Sequence, residues 1–278
     1  MVVFGGIAFS APHVMAGGTC VALEEEGNWD QDDGGYADVW AEGNIAFVGQ
    51  FGDNKVHFFD VSDPANPDRF LEWQVGAPNQ NASAQDIKGG DGLLFISLDA
   101  DGNDGVEIVD IRDPFNPQHL TWIDTPGFPD VHDAFYHGGM LYLAASRSPA
   151  EVGVVDLTSY DPDNPPARIV TNLWRISVGS SIVHDITVQG NRLYAAAWNS
   201  GLWVYDVSNV ANEPPVFLGS GPGTATHAVW PSGDGRWAVV GEERSGGPVK
   251  LYEISVDGSS VVLRDTLSLP GRAFTAHN

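Results

Sequence analysis

The sequence is poor in cysteine and in long apolar runs, and each shortage excludes a class of protein. Cys20 is the only cysteine among 278 residues, so this sequence can form no internal disulfide and no cysteine-based zinc site. No stretch after the first 17 residues approaches the roughly 18 consecutive apolar residues that a membrane-spanning helix needs. We therefore expect no membrane-embedded segment.

Positive charge is also scarce. Lysine and arginine together number 13 against 37 acidic residues, which gives a formal net charge of −24. A polyanion of this kind repels nucleic acid and anionic membrane surfaces, and it attracts divalent cations or basic partners. The composition therefore predicts a protein with no nucleic-acid partner.

The first residues of the chain are mostly apolar or small. Residues 1–17 contain a short apolar run followed by small residues, which resembles an export signal, although a basic n-region is missing. We expect residues 1–17 to be an export segment or a disordered N-terminus, and residues 18–278 to form one domain. The predicted location is secreted or at the cell surface.

A repeat of just under fifty residues organises the rest of the sequence. Five segments align on one acidic residue each: KVHFFDVSDPANP, GVEIVDIRDPFNP, VGVVDLTSYDPDNP, GLWVYDVSNVANEP and PVKLYEISVDG. Such self-similarity indicates that one structural unit is reused along the chain. The aligned acids are Asp60, Asp110, Asp156, Asp206 and Glu253.

Each unit has the pattern of four short strands. Runs of β-branched and aromatic residues alternate with Gly, Asn, Asp and Pro, and no window has a sustained helical period. This pattern predicts an all-β fold, a β-propeller of four-stranded antiparallel blades. Two β-sandwiches are the alternative. The complete repeats cover about 37–79, 84–130, 131–181, 182–225 and 226–273. Partial blade material at both termini suggests six or seven blades in a complete ring.

The repeated motif also resembles a known family. VHFFDVSDPANP, VEIVDIRDPFNP and LWVYDVSNVANEP are similar to the LVIVD repeat of exported or surface β-propeller proteins. The resemblance covers residues from about 37 to 273. The third copy departs from it by inserting Ser159 and Tyr160, and the fifth has Glu253 in place of Asp. The resemblance implies an exported or cell-surface propeller.

The repeated Asp is explained by turn chemistry. It ends an apolar run and is followed by Asp-Pro or Asn-Pro segments, in which carboxylates accept hydrogen bonds from nearby backbone N–H groups and proline stops strand pairing. We therefore predict a structural role for this residue in each copy.

A second recurrent pattern lies at the start of each unit. The aligned pairs precede the first strand, and in a propeller that strand lines the central channel, so we expect the pairs to converge at one end of the axis. They are Ala37-Asp38, Gln85-Asp86, His132-Asp133, His184-Asp185, His227-Ala228 and His277-Asn278.

Two interpretations of these pairs remain open. Imidazole and carboxylate groups are the ligands of zinc, iron, manganese or copper, so the ring could hold a transition metal. Alternatively, each His forms hydrogen bonds to the neighbouring blade while the Asp fixes its tautomer. The candidate metal ligands are His132, His184, His227, His277, Asp133 and Asp185.

Two acidic loops are candidate calcium sites. Oxygen ligands at alternating positions, with glycine to allow a tight turn, are typical of calcium loops, although the distal Glu of an EF-hand is missing from both. Solvated turns are the alternative. The candidate ligands are Asp99, Asp101 and Asn103 in DADGNDG, and Asp30 and Asp32 in DQDDGG.

The sequence shows no catalytic motif. A Gly-x-Ser-x-Gly elbow and glycine-rich phosphate loops are both missing. Our first hypothesis is a non-enzymatic, exported or cell-surface module for binding or assembly, stabilised by calcium. A metal-dependent enzyme with a His/Asp site on the propeller axis is the second. The third is a subunit of an extracellular filament that self-associates through open sheet edges. No ligand is indicated.

Overall fold

The computed structural model describes residues 2–4, 27–29, 35–52, 54–76, 83–99, 105–128, 130–145, 147–170 and 174–268. Within these ranges the regular secondary structure is entirely β, as the sequence predicts. The described residues accordingly include no helix that is long and apolar enough to cross a membrane.

The strands are short and follow one another closely. In chain order they are β1 Val2–Phe4, β2 Gly27–Trp29, β3 Gly35–Glu42, β4 Ile45–Phe51, β5 Lys55–Asp60, β6 Asp68–Gln74, β7 Ser83–Gly90, β8 Leu93–Asp99, β9 Gly105–Asp110, β10 Gln118–Asp124, β11 Val131–His137, β12 Met140–Ala145, β13 Glu151–Asp156, β14 Arg168–Val170, β15 Trp174–Ser177, β16 Val183–Gln189, β17 Arg192–Ala197, β18 Gly201–Asp206, β19 Val216–Gly221, β20 Thr226–Pro231, β21 Trp237–Glu242, β22 Val249–Ile254 and β23 Val261–Leu267.

In the described part of the chain, five antiparallel sheets of four strands each account for most of these elements. Sheet 1 contains β3 to β6, sheet 2 contains β7 to β10, and sheet 3 contains β11, β12, β13 and β15. Sheet 4 contains β16 to β19, and sheet 5 contains β20 to β23. Each sheet corresponds to one repeat, so the predicted four-stranded unit is confirmed.

Two pairings lie outside this scheme. Strands β1 and β2 form an antiparallel ribbon. Strand β14, from the third repeat, pairs parallel with β10 and adds a fifth strand to sheet 2. Arg168 Nη1 donates a hydrogen bond to Asp124 Oδ2 at 2.9 Å across this junction. The sequence did not predict β14, which follows the Ser159–Tyr160 insertion of the third repeat.

The sheets are arranged radially. Their first strands β3, β7, β11, β16 and β20 contact one another in that order. Separate apolar cores fill the spaces between consecutive sheets. Phe47 and Phe58 of sheet 1, for example, pack with Ile87 and Leu94 of sheet 2. Because a sheet between two neighbours buries both faces, its strands are apolar at successive positions rather than strictly alternating.

The repeated Asp at the end of each third strand forms the predicted turn. In sheets 1 to 4 its carboxylate accepts the backbone N–H of the residue two positions later, at 2.8 to 2.9 Å. The carboxylate therefore stabilises the chain reversal before the outer strand. The donors are Ser62, Arg112, Thr158 and Ser208.

Candidate metal site at the propeller axis

A β-bulge opens the first strand of each sheet. In sheet 3, Val131 pairs with Ala145 and Asp133 pairs with Ala144, so His132 is an extra residue without a partner across the ladder. A bulge of this kind re-aims the extra side chain and bends the strand. Register shifts occur at the same place in the other four sheets, at Tyr36/Val39, Ala84/Asp86, Val183/Asp185 and Thr226/Ala228.

The bulged residues line one cavity of about 430 Å³. His132, His184 and His227 reach it from sheets 3, 4 and 5, and Gln85 reaches it from sheet 2. Sheet 1 contributes residues that include Tyr36. The structure thus brings the three described histidines together at the first strands, while their role as metal ligands stays a prediction.

The three imidazoles form a row. His132 Nε2 and His184 Nε2 lie 3.1 Å apart, a hydrogen-bond distance at which one ring donates and the other accepts. The ring centroids of His184 and His227 are 3.8 Å apart. Trp198 stacks on His184 at a centroid distance of 5.4 Å. The indole therefore helps to fix the middle imidazole of the row.

Glu243 completes the group. Its Oε2 lies 3.6 Å from His227 Nε2. One ligand atom from each of His184, His227 and Glu243 lies within 4.8 Å of the others. The backbone N–H of Glu243 donates to the carbonyl of Ala225 at 2.8 Å, which links the segment after β21 to the start of β20. Sequence reasoning missed Glu243 because it follows a second strand and belongs to no recurrent pair.

The aspartates next to the histidines have different partners. Asp133 Oδ2 accepts the backbone N–H of Ile186 at 2.6 Å, and Asp185 Oδ2 accepts that of Val229 at 2.6 Å. Both acceptors therefore bind the following sheet. Asp38 and Asp86 do the same for sheets 2 and 3, through the N–H groups of Ile87 at 3.2 Å and Ala134 at 3.4 Å.

Lys88 lies among these carboxylates. Its Nζ is 2.7 Å from Asp38 Oδ2 and 3.7 Å from Asp133 Oδ1, and it also bonds to Asp86 Oδ2. Its side chain is buried. One ammonium group therefore balances part of a buried acidic cluster that also includes Asp185.

Burial dominates the titration of this cluster. It raises the pKa of Asp86 to about 7, and it raises the pKa of Asp133 and Asp185, with neighbouring carboxylates adding to the effect on Asp133. Burial opposes the charge of Lys88, but the surrounding carboxylates raise its pKa above the usual range. At Asp38, burial is outweighed by Lys88 and by hydrogen bonds, so the pKa of Asp38 is lowered.

Several predicted ligands lie outside the described residues. They are His277 of the axial set and Asp30, Asp32, Asp101 and Asn103 of the two calcium loops. Asp99 is the last residue of β8. The calcium sites therefore stay predictions.

A family model for the LVIVD repeat matches the chain at residues 33–71 and 181–219. These matches cover most of sheets 1 and 4. The chain therefore contains two segments that match the LVIVD repeat, which is consistent with the LVIVD-repeat β-propeller family. The resemblance seen in the repeated segments is thereby confirmed, together with the β-propeller fold that it implies. No curated protein matches the LVIVD-repeat chain.

Solved structures with low sequence identity share this fold. A Bacteroides uniformis protein that carries the name 6-phosphogluconolactonase is 14% identical, with a TM-score of 0.66 over 85% of this chain and 71% of its own. The hydrazine synthase of Kuenenia stuttgartiensis is 15% identical, with a TM-score of 0.60 over 90% of this chain and 70% of its own. The Swd1 β-propeller domain of Myceliophteria thermophila is also 15% identical, with a TM-score of 0.58 over 84% and 73% of the two chains. At such identities the likeness concerns the fold alone.

Proposed function

We propose that this LVIVD-repeat propeller is a binding module whose axial cavity holds a divalent transition-metal ion through His184, His227 and Glu243. The observation that carries the proposal is the convergence of their ligand atoms within 4.8 Å. Two imidazoles and a carboxylate are a common ligand set for zinc and related ions. No carboxylate of the buried Lys88 cluster is needed for this coordination.

The free coordination position of the ion would allow it to bind an external ligand. Three protein ligands leave a tetrahedral ion one position for an external ligand. That position adjoins a cavity of about 430 Å³, which is large enough for a small molecule. The module would therefore bind its ligand through the ion, without chemical conversion.

His132 is the nearest additional ligand. Two nitrogen ligands of a tetrahedral zinc ion are about 3.3 Å apart when the Zn–N bonds are about 2.05 Å. The two Nε2 atoms of His132 and His184 are already 3.1 Å apart. An ion could therefore replace the proton that these imidazoles share with little movement of either strand.

We propose the same location as the sequence suggests, namely export to the cell exterior. The net charge of −24 and the resemblance to exported LVIVD-repeat proteins support it. Calcium binding by the acidic loops at 30–33 and 99–105 is a separate proposal that rests on their sequence pattern.

A metal-dependent enzyme is the second candidate. Asp86 lines the same cavity, and burial raises its pKa to about 7. A carboxyl group with such a pKa can exchange a proton near neutral pH, as a general acid or base does. A titrating carboxyl group in the cavity supports an enzyme over a purely structural ion site.

Metal analysis of protein purified without a histidine tag tests the first proposal. We expect about one zinc ion per chain, measured by elemental analysis and titration calorimetry. His184→Ala and Glu243→Gln should each weaken zinc binding at least about tenfold, since both remove a direct ligand. His137→Ala is the matched control, because His137 is exposed on the same strand as His132. Equal zinc binding by all four proteins would refute the site.

Turnover separates the two candidates. The zinc-loaded protein should bind small anionic ligands such as azide without hydrolysing chromogenic esters if it is a binding module. Ester hydrolysis that is lost in Asp86→Asn, with zinc binding retained, would favour the enzyme.

A further inference from the structure

A fully buried carboxylate lies directly before the proposed metal ligand Glu243. It belongs to Glu242, the last residue of β21, which has no exposed surface. Glu242 does not line the axial cavity, so it is not itself a ligand of the proposed ion. A buried carboxylate is costly unless it is paired and hydrogen-bonded, so its partners indicate what it holds in place.

Donors from three neighbouring segments bind this carboxylate. The backbone N–H of Thr224 donates to Glu242 Oε1 at 3.2 Å. Lys250 Nζ donates to the same oxygen. Arg244 Nε donates to Oε2 at 3.0 Å. The carboxylate therefore joins the connection before β20, strand β22 and the turn after β21.

Lys250 is the more buried of the two cations. Its side chain is 14% exposed, whereas that of Arg244 is 51% exposed. An exposed ion pair contributes little, but the loss of one partner from a buried pair leaves an uncompensated charge. The ion pair with Lys250 should therefore hold the Glu242 carboxylate more firmly than the pair with Arg244 does.

The segments joined by this carboxylate carry two of the proposed metal ligands. Thr224 lies three residues before His227, and Glu243 follows Glu242 directly. Ala225, which accepts the backbone N–H of Glu243 at 2.8 Å, has a φ of 49°. A residue with a side chain rarely adopts this conformation, so the turn depends on the hydrogen bonds around it. A displaced Glu242 side chain would therefore move both ligands.

We propose that Lys250 is a positioning residue for the axial metal site. Its ion pair with Glu242 holds His227 and Glu243 at the separation that an ion requires. This inference rests on the metal site proposed above and adds to it a residue from outside the cavity. Without Lys250, the Glu242 side chain would turn toward solvent and release the backbone N–H of Thr224.

Zinc titration of the full chain tests the proposal. Lys250→Met should weaken zinc binding at least about tenfold, although it removes no metal ligand. Lys250→Arg should restore most of the affinity, because a guanidinium group can pair with the same carboxylate. Arg264→Met is the matched control and should bind zinc like the wild type. It also removes a cation from sheet 5, but Arg264 is 52% exposed and pairs with Glu253 at 2.7 Å.

Cobalt substitution gives a readout that a general loss of stability would not change. The visible absorption bands of bound Co²⁺ depend on the number and geometry of its ligands. At saturating Co²⁺ the bands of Lys250→Met should differ from those of the wild type, and Lys250→Arg should restore them. If Lys250→Met does not fold, Lys250→Gln takes its place. Its neutral amide can still donate to Glu242, so zinc binding should weaken about threefold or more.

The comparison with a direct ligand separates this inference from the metal site itself. If Lys250→Met, or Lys250→Gln in its place, bound zinc as tightly as the wild type while Glu243→Gln bound it more weakly, the positioning role would be wrong and the site would stand. An equal loss of zinc affinity in Arg264→Met would also overturn the positioning role. A wild-type protein that binds no zinc would refute the axial site and this inference with it.

Discussion

Two neighbouring layers of side chains at the propeller axis have different environments, although they come from the same dipeptides. His132 and His184 face the axial cavity and are half-buried, whereas Asp133 is buried and Asp185 bonds to the next sheet. The bulge at the start of each first strand separates the two directions. One repeated pair can therefore hold the sheets together and still present imidazoles to a ligand.

The two layers should also differ in what their removal costs. A carboxylate in the buried layer accepts a backbone N–H and faces Lys88, so its loss leaves buried polar groups unpaired. The imidazoles of His132 and His184 are partly accessible to solvent, so water can replace their contacts, whereas His227 is as buried as Asp133. We therefore expect the aspartate layer to determine stability and the histidine layer to determine metal binding.

The largest expected effect follows from removing Lys88. Lys88→Met leaves the carboxylates of Asp38 and Asp86 without their cation, and breaking a buried ion pair in this way costs about 3–5 kcal/mol. The free energy of unfolding can be measured from urea transitions. Lys55→Met is the matched control, because Lys55 pairs with Glu72 at 2.9 Å on the surface and should lose less than about 1 kcal/mol. Equal losses of unfolding free energy in the two variants would show that the buried ion pairs of Lys88 stabilise the fold no more than a surface ion pair does.

Much of the fold could be predicted from local sequence. The Asp-Pro and Asn-Pro turns after Asp60 and Asp110 fix the end of a third strand, and their spacing fixes the length of the repeat. Once the repeat is arranged radially, residues at equivalent positions, such as His132 and His184, become neighbours. The proximity of these residues can therefore be predicted once the propeller architecture is known.

The rest depends on contacts between distant residues. Nothing in the sequence pattern sets Lys88 apart from other strand residues. In the structure it forms ion pairs with Asp38 and Asp133, which belong to two other sheets. Glu243 reaches His227 from a segment that matches no other repeat. The parallel pairing of β14 with β10 likewise leaves no periodic signal in the sequence. Each of these features occurs once among the described residues, so the repeat could not reveal it.

A smaller effect separates the layers within one dipeptide. Asp185→Ala should lower the free energy of unfolding by about 1–3 kcal/mol, because the backbone N–H of Val229 loses its acceptor. Asp185→Asn keeps an acceptor oxygen and should lose less. His184→Ala should change stability less than Asp185→Ala does, yet it should weaken zinc binding. If Asp185→Asn lost zinc as completely as His184→Ala, the carboxylate would belong to the metal site and the separation of layers would fail.

The last effect is the pH dependence of stability. Because burial raises the pKa of Asp86 to about 7, the folded state holds a proton that the unfolded chain releases near its ordinary pKa of 3.8. The stability from this proton is therefore fully present below about pH 4 and is lost as the pH rises through 7, with a slope of about 1.4 kcal/mol per pH unit at most.

Asp133 and Asp185 also make the free energy of unfolding fall as the pH rises, because burial raises their pKa values. His119 has the same effect, because its hydrogen bond to Glu107 raises its pKa. The wild type must therefore be compared with Asp86→Asn, in urea transitions at pH 5 and pH 7.5. The variant should lose less stability over this interval, because its side chain cannot titrate. Parallel pH profiles for the two proteins would mean that Asp86 stays ionised beside Lys88, and that this lysine alone balances the buried layer at neutral pH.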